Sequence, residues 1–182
     1  MKQTTTQLLI LLTIALVSLS CSKKKDMETK PEIDETSLTT CRTGASCRYF
    51  YTDQADLRAE FPSITTGPYR IFVNEVTSPG MSTFLYIKAP MQGDTFSMTK
   101  EDMLNGLVTT STICPACYSV PFKPVSGYVK GIKLRSLPNR PDETKWLIEA
   151  KLIRQTGTTP VYADTIYVKQ YFYSANFTTY QQ

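Results

Sequence analysis

The stretch KWLIEAKLIRQ, Lys145 to Gln155, and its successor TIYVKQYFY, Thr165 to Tyr173, decide the fold class. In the first, Trp146, Ile148, Ala150 and Leu152 fall on one side of an extended chain, with Glu149 and Lys151 on the other. In the second, Ile166, Val168 and Phe172 share a side that only Gln170 interrupts, opposite Tyr167, Lys169, Tyr171 and Tyr173. A period of two with one apolar side marks strands that bury one face, as antiparallel sheets do. Gly157 and Pro160 mark the loop between the two strands, and the PNRPD run at Pro138 to Asp142 marks the loop before them.

Working back along the chain, the same signals recur. Arg48 to Thr52, Tyr69 to Val76, Phe84 to Ala89, Thr95 to Met98, Leu107 to Ile113, Tyr118 to Val125 and Gly127 to Arg135 are strand candidates rich in β-branched and aromatic residues. Two short helical pieces are expected. One runs from Asp53, a potential cap, past Leu57 and Phe61 to a stop at Pro62. The other is TKEDMLN, Thr99 to Asn105, with Thr99 as N-cap, Asp102 at the capping-box position, Met98 stapling Met103 and Gly106 closing the turn. The expected class is all-β and mainly antiparallel: a β-sandwich of about eight strands with one or two short helical turns, or alternatively a small up-and-down β-barrel.

The N-terminal region reads differently. Met1-Lys2 is basic, and Leu8 to Leu19 is apolar apart from Thr13 and Ser18. A twelve-residue helix reaches roughly 18 Å, short of a hydrocarbon core of about 30 Å, so an export signal is expected rather than a membrane span. Val17-Ser18-Leu19-Ser20-Cys21 resembles a bacterial lipobox, although Ser18 stands where that family usually has leucine. The resemblance implies that residues 1–20 are removed and that Cys21 carries lipid. Ser22-Lys-Lys-Lys-Asp26 follows, and the segment to Thr40 is polar, without aromatic residues, and expected to be a flexible charged tether. Residues 41–182 are then a single β-rich domain. With that junction and its many strand tyrosines, the chain is similar to small β-rich lipoproteins of Bacteroidetes-type bacteria. This grouping implies an outer-membrane location, at the periplasmic face or the cell surface, and no particular activity.

Charge and residue types narrow the chemistry. Without residues 1–20, which hold one lysine, 19 Lys+Arg face 16 Asp+Glu. No basic block outside the tether points to nucleic acid. The chain has no histidine, which excludes Ser-His-Asp and Cys-His nucleophiles and histidine metal sites. Glu75 and Glu149 are carboxylates that glycosidic chemistry could in principle pair, and solvated strand-face charges are the simpler reading. The chain is read as non-enzymatic and without a cofactor.

Four further cysteines remain, Cys41, Cys47, Cys114 and Cys117. In an exported chain an even number favours disulfides, and local pairing of Cys41 with Cys47 and of Cys114 with Cys117 is the simplest connectivity. Two sharper alternatives exist. All four thiolates could hold zinc. Cys114-Pro-Ala-Cys117 resembles the thioredoxin and glutaredoxin motif, but Pro121 and Pro124 deny it the helix that activates such a thiol. The exposed side of the last strand, Tyr167, Tyr171 and Tyr173, is a possible contact surface for a glycan or an envelope protein; in the competing reading these rings cover a second core layer or a barrel mouth. Two functions follow as expectations: a lipid-anchored binding or accessory module, or a structural component of an outer-membrane assembly joined through a sheet edge.

Overall fold

The computed structural model describes residues 31–58, 63–115, 121–134 and 144–175. Among these residues nine strands run in chain order: β1 (Ser46–Leu57), β2 (Ile64–Thr66), β3 (Tyr69–Ser78), β4 (Met81–Pro90), β5 (Thr95–Met98), β6 (Val108–Ile113), β7 (Phe122–Leu134), β8 (Lys145–Thr156) and β9 (Ala163–Ser174). One short helix, α1 (Lys100–Leu104), lies between β5 and β6. All strands belong to a single sheet of order β5-β7-β8-β9-β1-β3-β4-β6, with β2 pairing the end of β1. The sheet curls into a half-barrel, an all-β architecture of the sandwich/barrel-like kind. Its edges lean together: Thr110 of β6 donates its hydroxyl to the carbonyl of Phe122 in β7 at 3.2 Å. Every pairing is antiparallel except β1 with β9, which is parallel and limited to Phe50–Tyr173 and Tyr51–Ser174.

The alternation in β8 and β9 is what fills this sheet's concave side. Trp146, Ile148, Ala150 and Leu152 are each no more than 1 % exposed, as are Val168 and Phe172. They meet Phe72, Leu85, Ile87, Phe96 and Val129 in one core. Phe72 is its hub: its ring centroid lies 5.5 Å from those of Phe96 and Trp146 and 5.7 Å from that of Phe172. Gln170, the polar interruption on the inner side of β9, donates to the carbonyl of Thr39 at 3.1 Å. The convex side carries a smaller cluster, with Phe50, Ile71, Val73 and Tyr86 buried.

Glycine shapes β7. At Gly131 a Cβ would stand 2.1 Å from a ring carbon of Phe96, so the missing side chain is what lets that ring lie on the strand. Gly127 has φ +134°, and a Cβ there would stand 2.0 Å from the Lys151 carbonyl oxygen. This changes the expected strand count. Tyr118–Val125 and Gly127–Arg135 are not two strands about a turn: Phe122–Leu134 is one strand whose register slips between Pro124 and Ser126. Residues 116–120 and 135–143 lie outside the described residues.

The expected helix at Asp53 is also corrected. β1 runs on to Leu57, bending at an irregularity between Thr52 and Ala55 where Gln54 takes φ +54°. Asp53 caps nothing there, because its carboxylate pairs with Arg70 of β3. Ala55, Asp56 and Leu57 pair with the three residues of β2, a strand too short for periodicity to reveal. By contrast, α1 forms as its sequence implies. The Asp102 carboxylate accepts the Thr99 backbone N–H at 2.8 Å, and Met98 and Met103 are both buried. At its far end Gly106 has φ +78°, Gly106 N–H donates to the Met103 carbonyl, and Leu107 N–H to that of Asp102.

Candidate functional site

Because β1 and β9 pair over only two residues each, they part toward the start of β1. Thr39 enters that gap: its N–H donates to the Lys169 carbonyl at 2.8 Å, and Lys169 N–H donates to its hydroxyl at 2.8 Å. Beyond it the half-barrel opens into a cavity of about 300 Å³. Two cross-strand rows build one wall. Tyr49, Asn74 and Leu85 lie side by side on β1, β3 and β4, and Cys47, Val76 and Thr83 form the next row outward. The row inward of these, Tyr51, Phe72 and Ile87, is solid core. The opposite wall comes from Ile166 and Val168 of β9 and from Arg154 of β8.

Asn74 is the one buried polar side chain of this wall whose hydrogen-bonding capacity is left unmet among the described residues. It is only 7 % exposed, and its Oδ1 has no hydrogen-bond partner among the described residues. A buried acceptor left unpaired costs about 1–3 kcal/mol, so this amide favours any occupant that donates a hydrogen bond. Arg154 presents no comparable vacancy. Its guanidinium forks onto Asp164 across the strand pair, Nε reaching Oδ1 at 2.8 Å and Nη2 bonding Oδ2. Charge at the mouth therefore comes from Arg42, which lines the cavity from the loop between Cys41 and Cys47. Burial raises the Tyr49 phenol above its ordinary range, so this ring serves as a neutral wall at physiological pH.

The Cys41–Cys47 disulfide forms, with Cα atoms 5.7 Å apart. It closes a loop turned by an Ala45 N–H to Arg42 carbonyl bond at 3.0 Å, with Gly44 at φ +78°. The bridge thus closes the loop that carries Arg42, one of the residues lining the cavity. Cys114, just beyond β6, is also disulfide-bonded, while Cys117 and Cys21 lie outside the described residues. The zinc alternative is corrected on this point: sulfurs consumed in disulfides are not thiolate ligands. The described residues contain no group of three or more potential metal ligands.

Tyr167, Tyr171 and Tyr173 do share the outer side of β9. Tyr167 donates to Glu149 Oε1 at 3.2 Å, and Tyr128 of β7 donates to the same oxygen at 3.1 Å. Tyr171 donates to Glu35 at 2.8 Å, which together with desolvation raises its phenol pKa, and the Lys145 ammonium sits 3.9 Å from its ring centroid. Tyr173 is 53 % exposed. The row is thus held by polar contacts on the convex surface rather than forming a second core layer, and Tyr167 also reaches the cavity rim. Glu75 and Glu149 do not meet: Glu75 pairs with Arg48 at 3.5 Å, and β1 and β9 lie between their strands.

Sequence reasoning missed Asn74 and Arg42. Asn74 did leave a trace, being a polar residue between Phe72 and Val76 on the inward side of YRIFVNEV. Comparisons with protein-family models, with curated proteins and with solved structures each find no match to this chain.

Proposed function

We propose that the protein is a non-enzymatic binding module of a bacterial cell envelope, anchored to the outer membrane by lipid on Cys21 and taking a small ligand into the cavity between β1, β3, β4 and β9. The observation that carries this reading is the cavity of about 300 Å³ with a buried, unpartnered amide oxygen in its wall. Pockets of this size that bring polar groups together between apolar walls, as Asn74 and Thr83 stand here between Leu85, Ile166 and Val168, can hold a small molecule. Two disulfide-bonded regions, at Cys41–Cys47 and at Cys114, agree with export to an oxidising compartment. Residues 1–20 act as the export signal, and the tether is shorter than the expected 21–40, because Ile33 is buried and Thr39 bonds to Lys169, so residues 33–39 already pack on the domain. The alternative of an assembly component joined through a sheet edge is less favoured, because the β6 edge already leans on β7.

Two measurements test the reading. Labelled palmitate is expected to enter the wild-type protein in cells and not a Cys21→Ala variant; equal labelling of both would remove the anchor. Ligand-observed NMR with a fragment set is expected to give hits that a cavity-filling Thr83→Tyr variant loses. Hits that persist in that variant would place binding elsewhere.

A further inference from the structure

Resting on that reading, we propose that the cavity binds a small hydroxylated carboxylate, the size of one sugar-acid ring, with a hydroxyl donating to Asn74 Oδ1 and the carboxylate facing Arg42. Size sets the first limit. A cavity of about 300 Å³ lies at the small end of ligand pockets, which suits a single six-membered ring with its substituents. Polarity sets the second. Asn74 Oδ1 is an acceptor that no described residue satisfies, so the occupant must bring a donor to the inner wall. The flanking Leu85 and Val168 are apolar and buried, which matches the C–H face of a ring rather than a fully charged ion.

Charge sets the third limit. Two arginines line the cavity, but Arg154 is neutralised by its two-pronged pair with Asp164. Arg42 has no such counter-ion among the described residues, and it lines the cavity from the exposed, disulfide-closed loop that precedes β1. A guanidinium facing a carboxylate makes a strong charge-assisted contact. A ligand spanning the cavity thus meets an acceptor at its inner end and a cation at its outer end. A hydroxylated ring acid offers both complements in one molecule; a neutral polyol or a plain short-chain acid offers one.

The test titrates the full-length lipidated protein, in detergent micelles, with sodium D-glucuronate, D-glucose and sodium acetate by calorimetry. Saturable one-site binding of glucuronate is expected, at least tenfold tighter than glucose, with no saturable heat from acetate. Asn74→Leu and Arg42→Gln should each weaken glucuronate at least tenfold. The melting temperature should be unchanged by Arg42→Gln, and unchanged or raised by Asn74→Leu, which removes an orphan acceptor. Glucose binding as tightly as glucuronate, or glucuronate affinity indifferent to Arg42→Gln, overturns the ligand class. No saturable binding of glucuronate overturns it as well. In either case fragment hits lost in Thr83→Tyr would leave the binding-module reading standing, so the two failures are distinguishable.

Discussion

Arg70 and Asp53 make the sharpest test of how this half-barrel is held together. Arg70 projects from β3 into the end of the core opposite the cavity. Its side chain is 8 % exposed, its guanidinium carbon lies 4.6 Å from the Trp146 ring centroid, and Nη2 donates to Asp53 Oδ2 at 3.0 Å. Removing one partner of a buried pair costs about 3–5 kcal/mol when the charge left behind is itself buried, whereas replacing the whole pair by apolar residues is often neutral. Here the burial is one-sided, since the Asp53 side chain is 44 % exposed and partly solvated. Asp53→Asn, which strands the buried guanidinium, is therefore expected to cost about 2–3 kcal/mol after that discount. Arg70→Met keeps the packing on Trp146, leaves behind only a half-hydrated carboxylate and removes Nη1, a buried donor without a partner among the described residues; it should stay within about 1 kcal/mol of wild type. At roughly 2–4 °C per kcal/mol, Asp53→Asn lowers the melting temperature by about 4–12 °C. The double variant should resemble Arg70→Met alone. Thermal unfolding by circular dichroism on the four proteins measures the cycle. If Asp53→Asn costs no more than Arg70→Met, or if the two effects simply add, the pair is not what restrains Arg70 and the reasoning fails.

Three further outcomes are expected. Gly131→Ala, whose new Cβ would collide with a Phe96 ring held beside Phe72 and Trp146, should destabilise the fold by about 1–3 kcal/mol in chemical denaturation; no loss would mean that the ring swings aside freely. Replacing Cys41 and Cys47 by serine opens a loop of sequence separation 6, for which the chain-entropy model gives a loss of about 2 kcal/mol, and the same change should weaken glucuronate binding by freeing Arg42. Tyr86 is pushed up to about 12, first by burial and then by the Glu75 charge, while an unfolded tyrosine ionises near about 10. The folded state thus keeps a proton that the unfolded state releases, so stability should fall as pH rises from about 10 to about 12. Denaturant midpoints across that range check the sign, and a flat profile would contradict it.

The parts of the fold that sequence reveals are those fixed by local periodicity. β8 and β9 alternate cleanly because one side meets the Phe72 cluster and the other meets water, and α1 carries its own start and stop in Thr99, Asp102 and Gly106. Where a tertiary partner overrides the local signal, the reading fails. Asp53 has the look of a helix cap until Arg70, seventeen residues later, claims its carboxylate. Ser126-Gly127 has the look of a turn, yet the glycine is there because the backbone of Lys151 passes too close for a side chain. The half-barrel itself follows from the β1–β9 contact and from the meeting of β6 with β7, neither of which leaves a mark in any single stretch of chain.

The site was hidden for the same reason, though less completely. Its wall is a pair of rungs across β1, β3 and β4, and no reading of one strand shows that Tyr49, Asn74 and Leu85 stand side by side. The polar residue on an inward position of β3 was nevertheless visible, and in an otherwise apolar row such a residue must be paired, hydrated or used. The cysteines illustrate the complementary case. The Cys41–Cys47 pairing was legible from count and spacing, but its use was not: a six-residue separation says that a loop closes, and only the divergence of β1 from β9 opens the cavity that Arg42 of that loop lines together with an unpartnered amide. Structural and functional readings of the Cys41–Cys47 bridge are therefore not rivals. The same bond that restrains the entry to β1 fixes the one lining charge that Asp164 does not cancel, so a site for a small acid and a stabilised strand start have a single cause.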